Sequence, residues 1–473
     1  MQRIEHIYLN GEFVLPYGQE WADLHDPSTE QVIGQVRLGD EQDAKRAIAA
    51  AQAAFPAWSR TTRDERIAVL ERMQRAVAAH EDALMEAVLA EYGAPSVRMR
   101  WMATLPALAV AQAVDALKAF AFEEQFGGTK VIQTPVGVAA LITPWNSNAF
   151  FICNKLATAL AAGCTTVIKP SEMSALQTQV VAEALHEAGL PPGVFNIVNG
   201  RGDIVGEELA KSPDIAKISF TGSSAVGQHL VEMGAPTMKR VTLELGGKSP
   251  TVILDDADFA SVMPLALQAG FANSGQACIA GTRILVPHAR LNEFERLIRS
   301  AAAKIKTGDP RQADTDIGPM VSQKQWDRVQ DYIRIGLEEG ATLLTGGEGR
   351  PSNLNAGWFV QPTIFTRANN QMRIAREEIF GPVLTIIPYE DEFEAIAIAN
   401  DTKYGLSALV LGNDRVRCER VARQIDAGRV SVNTCLLYTS PPFGGFKHSG
   451  LGRENGRWGI SAYLEPKALT MAE

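Results

Sequence analysis

A chain of 473 residues is longer than one compact core of ordinary size, so two or three lobes sharing a large buried interior are expected. Apolar residues at 46%, charged residues at 21% and a mean hydropathy of −0.04 exclude disordered and fibrous classes. The net charge of −9 is modest and Lys and Arg form no basic run, which argues against nucleic acid or an anionic membrane surface as a partner.

Taken in chain order, the start "MQRIEHIYLNGEFV" lacks the basic-then-apolar pattern of a signal peptide. Residues 41–91 carry Ala- and charge-rich text with apolar positions three and four apart, the pattern of amphipathic helices. After Pro135, short apolar runs alternate with helical segments: "VGVAALITP", "NKLATALAAG", "CTTVIKP", "LQTQVVAEALHEAG", "VFNIVNG", "GDIVGEELAKSP" and "IAKISFTG". That alternation predicts a doubly wound parallel sheet, which binds ligands at the carboxyl ends of its strands. A second alternation from "SPTVILDDAD" through "TRILVP", "FVQPTIF", "PVLTIIPY" and "SALVLGN" predicts a second α/β lobe, with the boundary near "LELGGKSP". "FGGTKVIQTP" and "ISAYLEPKALT" read as strands outside both alternations and are candidates for an oligomerisation arm. The most apolar stretch is broken by Pro144, Asn146, Asn148, Asn154 and Lys155, so no membrane span is expected. Five cysteines, none in a C-x-x-C pair, argue against a disulfide framework and against structural zinc, so the expectation is a reducing, cytoplasmic setting with no metal.

Several strand ends break into chemically notable text. In "CTTVIKPSE", Lys169 and Glu172 either hold the hydroxyls of a ribose, the carboxylate then favouring NAD over its 2'-phosphorylated relative, or form a surface ion pair with Ser171 as a helix cap. In "ISFTGSSAVG", Gly222 and Ser223 precede a helix start whose free amides suit a phosphate, although a plain capped helix reads the same way. "VNGRGDIVG" carries Gly200, Gly202 and Gly206 without the G-x-G-x-x-G spacing and is weak evidence by itself. Glu244, between two leucines in "TLELGGKSP", is either a buried carboxylate with a raised pKa, suited to act as a general base, or an edge-strand residue facing water. Asn146 in "ITPWNSN" either stabilises an oxyanion or belongs to the turn after Pro144. Cys278 in "GFANSGQACIAG" is either a small buried hydrophobe or a nucleophile among small residues whose amides serve a developing oxyanion. The other four cysteines lie in apolar helical or strand-like text.

"ITPWN", "KPSE", "FTGS", "LELGGKSP", "GQAC", "EEIFGP" and "PFGGFKHSGLGRE" occur in the order and at the separations of the NAD(P)-dependent, non-acylating aldehyde dehydrogenase superfamily, which the chain resembles over essentially its whole length. The resemblance implies two doubly wound parallel-sheet lobes, one for cofactor and one catalytic, plus a small β oligomerisation arm. On that scheme residues 1–116 and 136–246 bind cofactor, 247–447 form the catalytic lobe, and 117–135 with 448–473 form the arm and tail. Cys278 resembles the nucleophile that gives a thiohemiacetal, Asn146 and the Cys278 amide the oxyanion hole, and Glu244 the base for thioester hydrolysis. Lys169 and Glu454 complete the implied catalytic set, Glu454 as a proton exit or as one half of a salt bridge with a neighbouring Arg. The implied cofactor is NAD, with NADP as the second candidate. It would lie against Ile142, Thr143, Pro144, Trp145, Ser171, Gly202, Phe220, Thr221, Leu245 and Gly246, with Lys169 and Glu172 at the adenosine ribose and Ser223 with the turn at Gly222 at the pyrophosphate. Glu378 and Phe380 match the residues that hold its nicotinamide ribose and ring.

The text departs from many members after Asn146, where Phe-Pro and bulky apolar residues usually follow. If the next helix lines a substrate tunnel as in the family, Ser147, Phe151 and Asn154 give a wider and more polar mouth, with Leu437 and Tyr438 as the opposite wall. Ile279 after Cys278 leaves no Cys-x-Cys pair, which argues against the redox-regulated succinic semialdehyde group. An aromatic or polar-substituted aldehyde is the expected substrate, and a homodimer or homotetramer the expected assembly. A CoA-acylating enzyme, a silent NAD-binding protein of the same fold and a thiol esterase are the alternatives; Glu244 speaks against the first, because a hydrolytic base has no use when a thiol accepts the acyl group.

Overall fold

The computed structural model describes residues 2–436 and 438–471. Two sheets dominate it. The first has eight strands in the order 450–451, 240–244, 217–221, 138–142, 165–169, 195–197, 7–9 and 12–14. Its five central strands, from 240–244 to 195–197, are parallel, and antiparallel strands close both edges. The second has seven strands in the order 342–345, 363–366, 383–389, 283–287, 250–253, 407–411 and 429–432, all parallel except the first pair. The two α/β lobes foreseen in the alternating text are therefore present, and the chain crosses between them at Leu245–Ser249.

The central strands are buried on both faces by helices, as in other parallel sheets. Val138–Ile142, Thr165–Lys169 and Lys217–Thr221 are buried at every position. The amphipathic text of residues 41–91 forms three helices, Glu41–Trp58, Arg63–Ala79 and Glu81–Tyr92. The first two start with reciprocal caps, Asp40 with Asp43 and Thr62 with Glu65, each satisfying backbone amides that the helix leaves free. Asn148–Ala162, which opens just after Asn146, is buried along nearly its whole length. A helix without a polar face has protein on every side.

Strands Glu123–Phe126, Thr129–Pro135 and Leu464–Thr470 form a separate three-stranded antiparallel sheet, the arm anticipated from the two outlying strand-like segments. Residues 448–471 do not stay together, however: Gly450–Leu451 pairs with Leu243–Glu244 in the first sheet, and only the last strand joins the arm. A further sheet of strands 2–4, 32–37 and 21–25 at the N-terminal end had no periodic signal. Among the described residues no helix is long and apolar enough to cross a membrane.

Candidate active site

Cys278 follows a backbone that few sequences adopt. Asn273 (φ 56°), Ser274 (φ 57°) and Gly275 (φ 73°) are three consecutive left-handed residues. Such conformations cost about 1–3 kcal/mol each for non-glycine residues and persist only where the surroundings enforce them. Buried Gln276 does the enforcing: its Oε1 accepts from the Val321 amide at 3.0 Å, and its Nε2 donates to Pro319 O at 3.2 Å and to Tyr92 Oη at 3.4 Å. The Gln276 carbonyl accepts from Asn146 Nδ2 at 3.0 Å and from Asn273 Nδ2 at 3.2 Å. The asparagine singled out at the end of strand 138–142 is thus fastened to the loop that carries Cys278. On the other side the loop lies against Gly247, where a Cβ would come within 2.6 Å of the Cys278 carbonyl.

Cys278 is half-buried as a residue, but its thiol is enclosed. Burial pushes the thiol up to about 12; the carboxylates of Glu378 and Glu244 act in the same direction, and the amides of Cys278 and Ile279 oppose them. At rest the group is a thiol, and forming the thiolate requires local help.

Glu244 ends its strand between Thr221 and Gly450, and it is 2% exposed. Neither carboxylate oxygen has a hydrogen-bond partner. Burial first and the Glu454 charge second hold its pKa well above the usual carboxylate range, against Lys155 and Arg453. It is a buried carboxyl and not the water-facing alternative. Glu454 bonds Lys155 Nζ, with Asn154 Nδ2 donating to its other oxygen at 3.3 Å. Its ionic partner is therefore a helix lysine and not the adjacent arginine considered on the sequence; Arg453 donates to the carbonyls of Gly445 and Gly452.

The remaining strand ends line a continuous edge. Lys169, almost fully buried, ends strand 165–169, and its Nζ meets Glu172 Oε2 at 3.2 Å; Ser171 Oγ accepts from the Met173 amide at 3.4 Å. The ion pair and the Ser171 cap are present, with the lysine end of the pair buried and not at the surface. Thr143 and Pro144 lead from Ile142 to Trp145, whose ring meets Phe380 edge-on at 5.4 Å. Phe380 itself is left-handed (φ 65°). Ser223 caps the eleven-residue helix Ser224–Gly234, which opens directly after the end of strand 217–221, the neighbour of strand 138–142. Gly222, after Phe220 and Thr221, has no room for a side chain because a Cβ would meet the Phe220 ring at 2.3 Å. Gly202 stands in the opposite situation, in open space at the start of a short turn. Glu378 Oε1 accepts from the Gly247 amide at 3.1 Å, and a Cβ on Gly246, next to Leu245, would collide with the same carboxylate at 2.2 Å. Burial moves Glu378 up to about 7, opposed by that amide, Arg328 and Lys248. The chemistry of this edge fits a dinucleotide: a capped helix start would face phosphates, Lys169 and Glu172 would meet the hydroxyls of one ribose and Glu378 those of a second.

The expected substrate residues separate. Ser147 is partly open at the helix start, with its hydroxyl on Asn146 O at 2.6 Å, and Phe151 is buried beside Phe150 with ring centres 5.3 Å apart. Asn154 is 8% exposed and turned to Glu454, so it adds little to a polar mouth. Tyr438 is 69% exposed and stands in solvent instead of forming a packed wall. Leu437 lies outside the described residues.

The profile of the Aldehyde dehydrogenase family matches residues 14–469. The chain belongs to that family. It is 46% identical to a 3-succinoylsemialdehyde-pyridine dehydrogenase of Pseudomonas sp over 99% of both chains. Among solved structures it is similar to aldehyde dehydrogenase C of Pseudomonas syringae, a cysteine-to-alanine mutant in complex with NAD+ and octanal (44% identity, TM-score 0.97, 99% of this chain and 98% of that one). It is also similar to a Mycobacterium tuberculosis aldehyde dehydrogenase complexed with NAD+ (38% identity, TM-score 0.96, 100% and 99% of the two chains).

Several residues of this aldehyde dehydrogenase site escaped the sequence reading. Gln276 sits inside the quoted motif, but nothing in its spacing shows that its side chain anchors the loop. Tyr92 and Val321 come from segments that carried no chemical text. Lys155 carries a signal, a lysine inside an apolar helix, which in the sequence alone is no more than an interruption of the apolar run. Lys248 is fully buried with no hydrogen-bond partner on Nζ, and burial, aided by Arg283, moves it down to about 7.

Proposed function

We propose that the chain oxidises an aldehyde to its carboxylic acid with NAD as hydride acceptor, through a covalent intermediate on Cys278. The observation that supports the residue roles is the tie of Asn146 to the Cys278 loop at 3.0 Å, together with a buried, unpaired Glu244 carboxyl whose charge acts on the Cys278 thiol. Once deprotonated, Cys278 Sγ attacks the carbonyl carbon, and the new oxyanion is held by the second N–H of Asn146 Nδ2 and by the Cys278 amide. When bound, the nicotinamide dinucleotide supplies the acceptor for the hydride that leaves the tetrahedral carbon. The oxyanion's electron pair re-forms the carbonyl, leaving a thioester on Cys278. Glu244 takes a proton from water, the resulting hydroxide attacks the thioester carbon, and Cys278 leaves as thiolate. Lys169 and Glu172 favour NAD over NADP because the carboxylate repels a 2'-phosphate.

For the substrate, Ser147 leaves the helix start polar beside Phe151, which supports an aldehyde with an aromatic or polar-substituted tail. The name of the Pseudomonas relative, with its pyridine ring, points the same way, whereas the octanal in the Pseudomonas syringae complex represents the plain-alkanal alternative. The arm sheet supports association into a dimer or tetramer: its strand 123–126 is exposed at every position and carries Phe126 at the surface.

Mass spectrometry of Glu244→Gln after mixing with NAD and benzaldehyde tests the scheme. A benzoyl adduct on the Cys278 peptide, and free benzoic acid with no acyl-CoA when native protein is given coenzyme A, is the expected pair of results. Failure to acylate Cys278 while another residue is labelled overturns the assignment.

A further inference from the structure

We infer that Asn154 is a positioning residue for proton release, holding Glu454 in the geometry that clears Glu244 between turnovers. The inference rests on Glu454 being the exit for the Glu244 proton. Asn154 and Lys155 are consecutive in one helix, and their side chains diverge by about 100° around its axis. Both nevertheless reach the same carboxylate: Lys155 Nζ bonds Oε1, and Asn154 Nδ2 bonds Oε2 at 3.3 Å. Glu454 is therefore fixed between two directions. Lys155 Nζ is steadied in turn by Ser219 Oγ at 3.0 Å, and the Asn154 carbonyl accepts from Thr158 Oγ1 at 2.8 Å.

The choice of an amide has a chemical consequence. Lys155 Nζ and, at 3.5 Å, Ser219 Oγ both donate to Oε1, so the oxygen left to accept and give up a proton is Oε2. Facing it, a carboxamide donates through Nδ2 when the carboxylate is ionised and, turned over, accepts through Oδ1 when it carries a proton. Aliphatic side chains serve neither state. Between Asn154, Lys155, Ser219, Arg453, Glu454 and Tyr463 lies a cavity of about 10 Å³, space for one water that passes the proton on, and the two cations keep that proton from staying there. In the cycle, the proton that Glu244 takes from water moves to Glu454 Oε2 and from there, through a water in that cavity, to solvent; no atom changes its oxidation state.

The test compares native protein with Asn154→Leu, Asn154→Ala, Asn154→Gln and Glu454→Gln by stopped-flow and steady-state formation of NADH, in H2O and D2O, with NAD affinity from fluorescence. Asn154→Leu should keep NAD affinity, aldehyde KM and the first-turnover burst. Its steady-state kcat should fall about tenfold, as for other outer supporting residues, with a larger solvent isotope effect. Asn154→Gln should recover most of the loss, and Asn154→Ala gives the same comparison if Leu does not fold. Native kcat and isotope effect in Asn154→Leu and Asn154→Ala, with an altered ranking of aldehyde KM values, would make Asn154 a tunnel wall and overturn the inference. Native kcat in Glu454→Gln would instead remove the exit role on which it rests.

Discussion

Glu244, the proposed base, is a buried side chain whose ionisation opposes stability. Its pKa is raised in the folded chain, so between the ordinary carboxylate range and that raised value the folded state holds a proton that the unfolded state has lost. Stability from this group is therefore lost as pH rises through that window. Glu244→Gln removes the loss and breaks no hydrogen bond, because the native carboxylate has none. Melting curves should show little difference near pH 5 and a variant more stable by about 1–3 kcal/mol near pH 9; a gap that does not widen with pH would contradict it. At the ribose end, Glu172→Gln should raise activity with NADP relative to NAD about tenfold, measured as the ratio of kcat/KM values. An unchanged ratio would leave the ion pair with Lys169 as a structural feature only. Both carboxylates were legible as candidates from their places at strand ends, but only the fold decides that one faces no water.

At the scale of the element, the loop before Cys278 depends on close approach. A side chain on Gly275 would lie 2.2 Å from the Gly381 carbonyl, in a residue already left-handed. Gly275→Ala should move the loop against Gln276, lowering kcat at least about tenfold while NAD still quenches tryptophan fluorescence. Native kcat would show that the loop tolerates displacement. The small residues of "SGQAC" were visible in the sequence. The left-handed Asn273 and Ser274 were not, because the partners that enforce them, Pro319, Val321 and Gly381, are remote in the chain. The same reason hid Asn154: its place on the helix fits a tunnel wall equally well until Glu454, from the far end of the chain, is placed beside it.

For the whole molecule, alternation of apolar runs and helices was enough to foresee both parallel lobes, since buried central strands leave a continuous apolar trace. Edge strands leave none. Ile7–Leu9, Glu12–Val14 and Gly450–Leu451 are two or three residues long and join the first sheet from opposite ends of the chain. The arm was legible because its strands fell outside both alternations. Removing residues 464–471 should shift the particle to a smaller mass by light scattering, and an unchanged mass would place the contact between copies elsewhere. The central claim is tested most directly by absorbance at 340 nm with NAD and a panel of aromatic, semialdehyde and aliphatic aldehydes, native chain against Cys278→Ala. The account predicts NADH formation by the native chain, fastest with the aromatic or polar-substituted aldehydes, and none by the variant although it still binds NAD. Equal NADH formation by both proteins would contradict it.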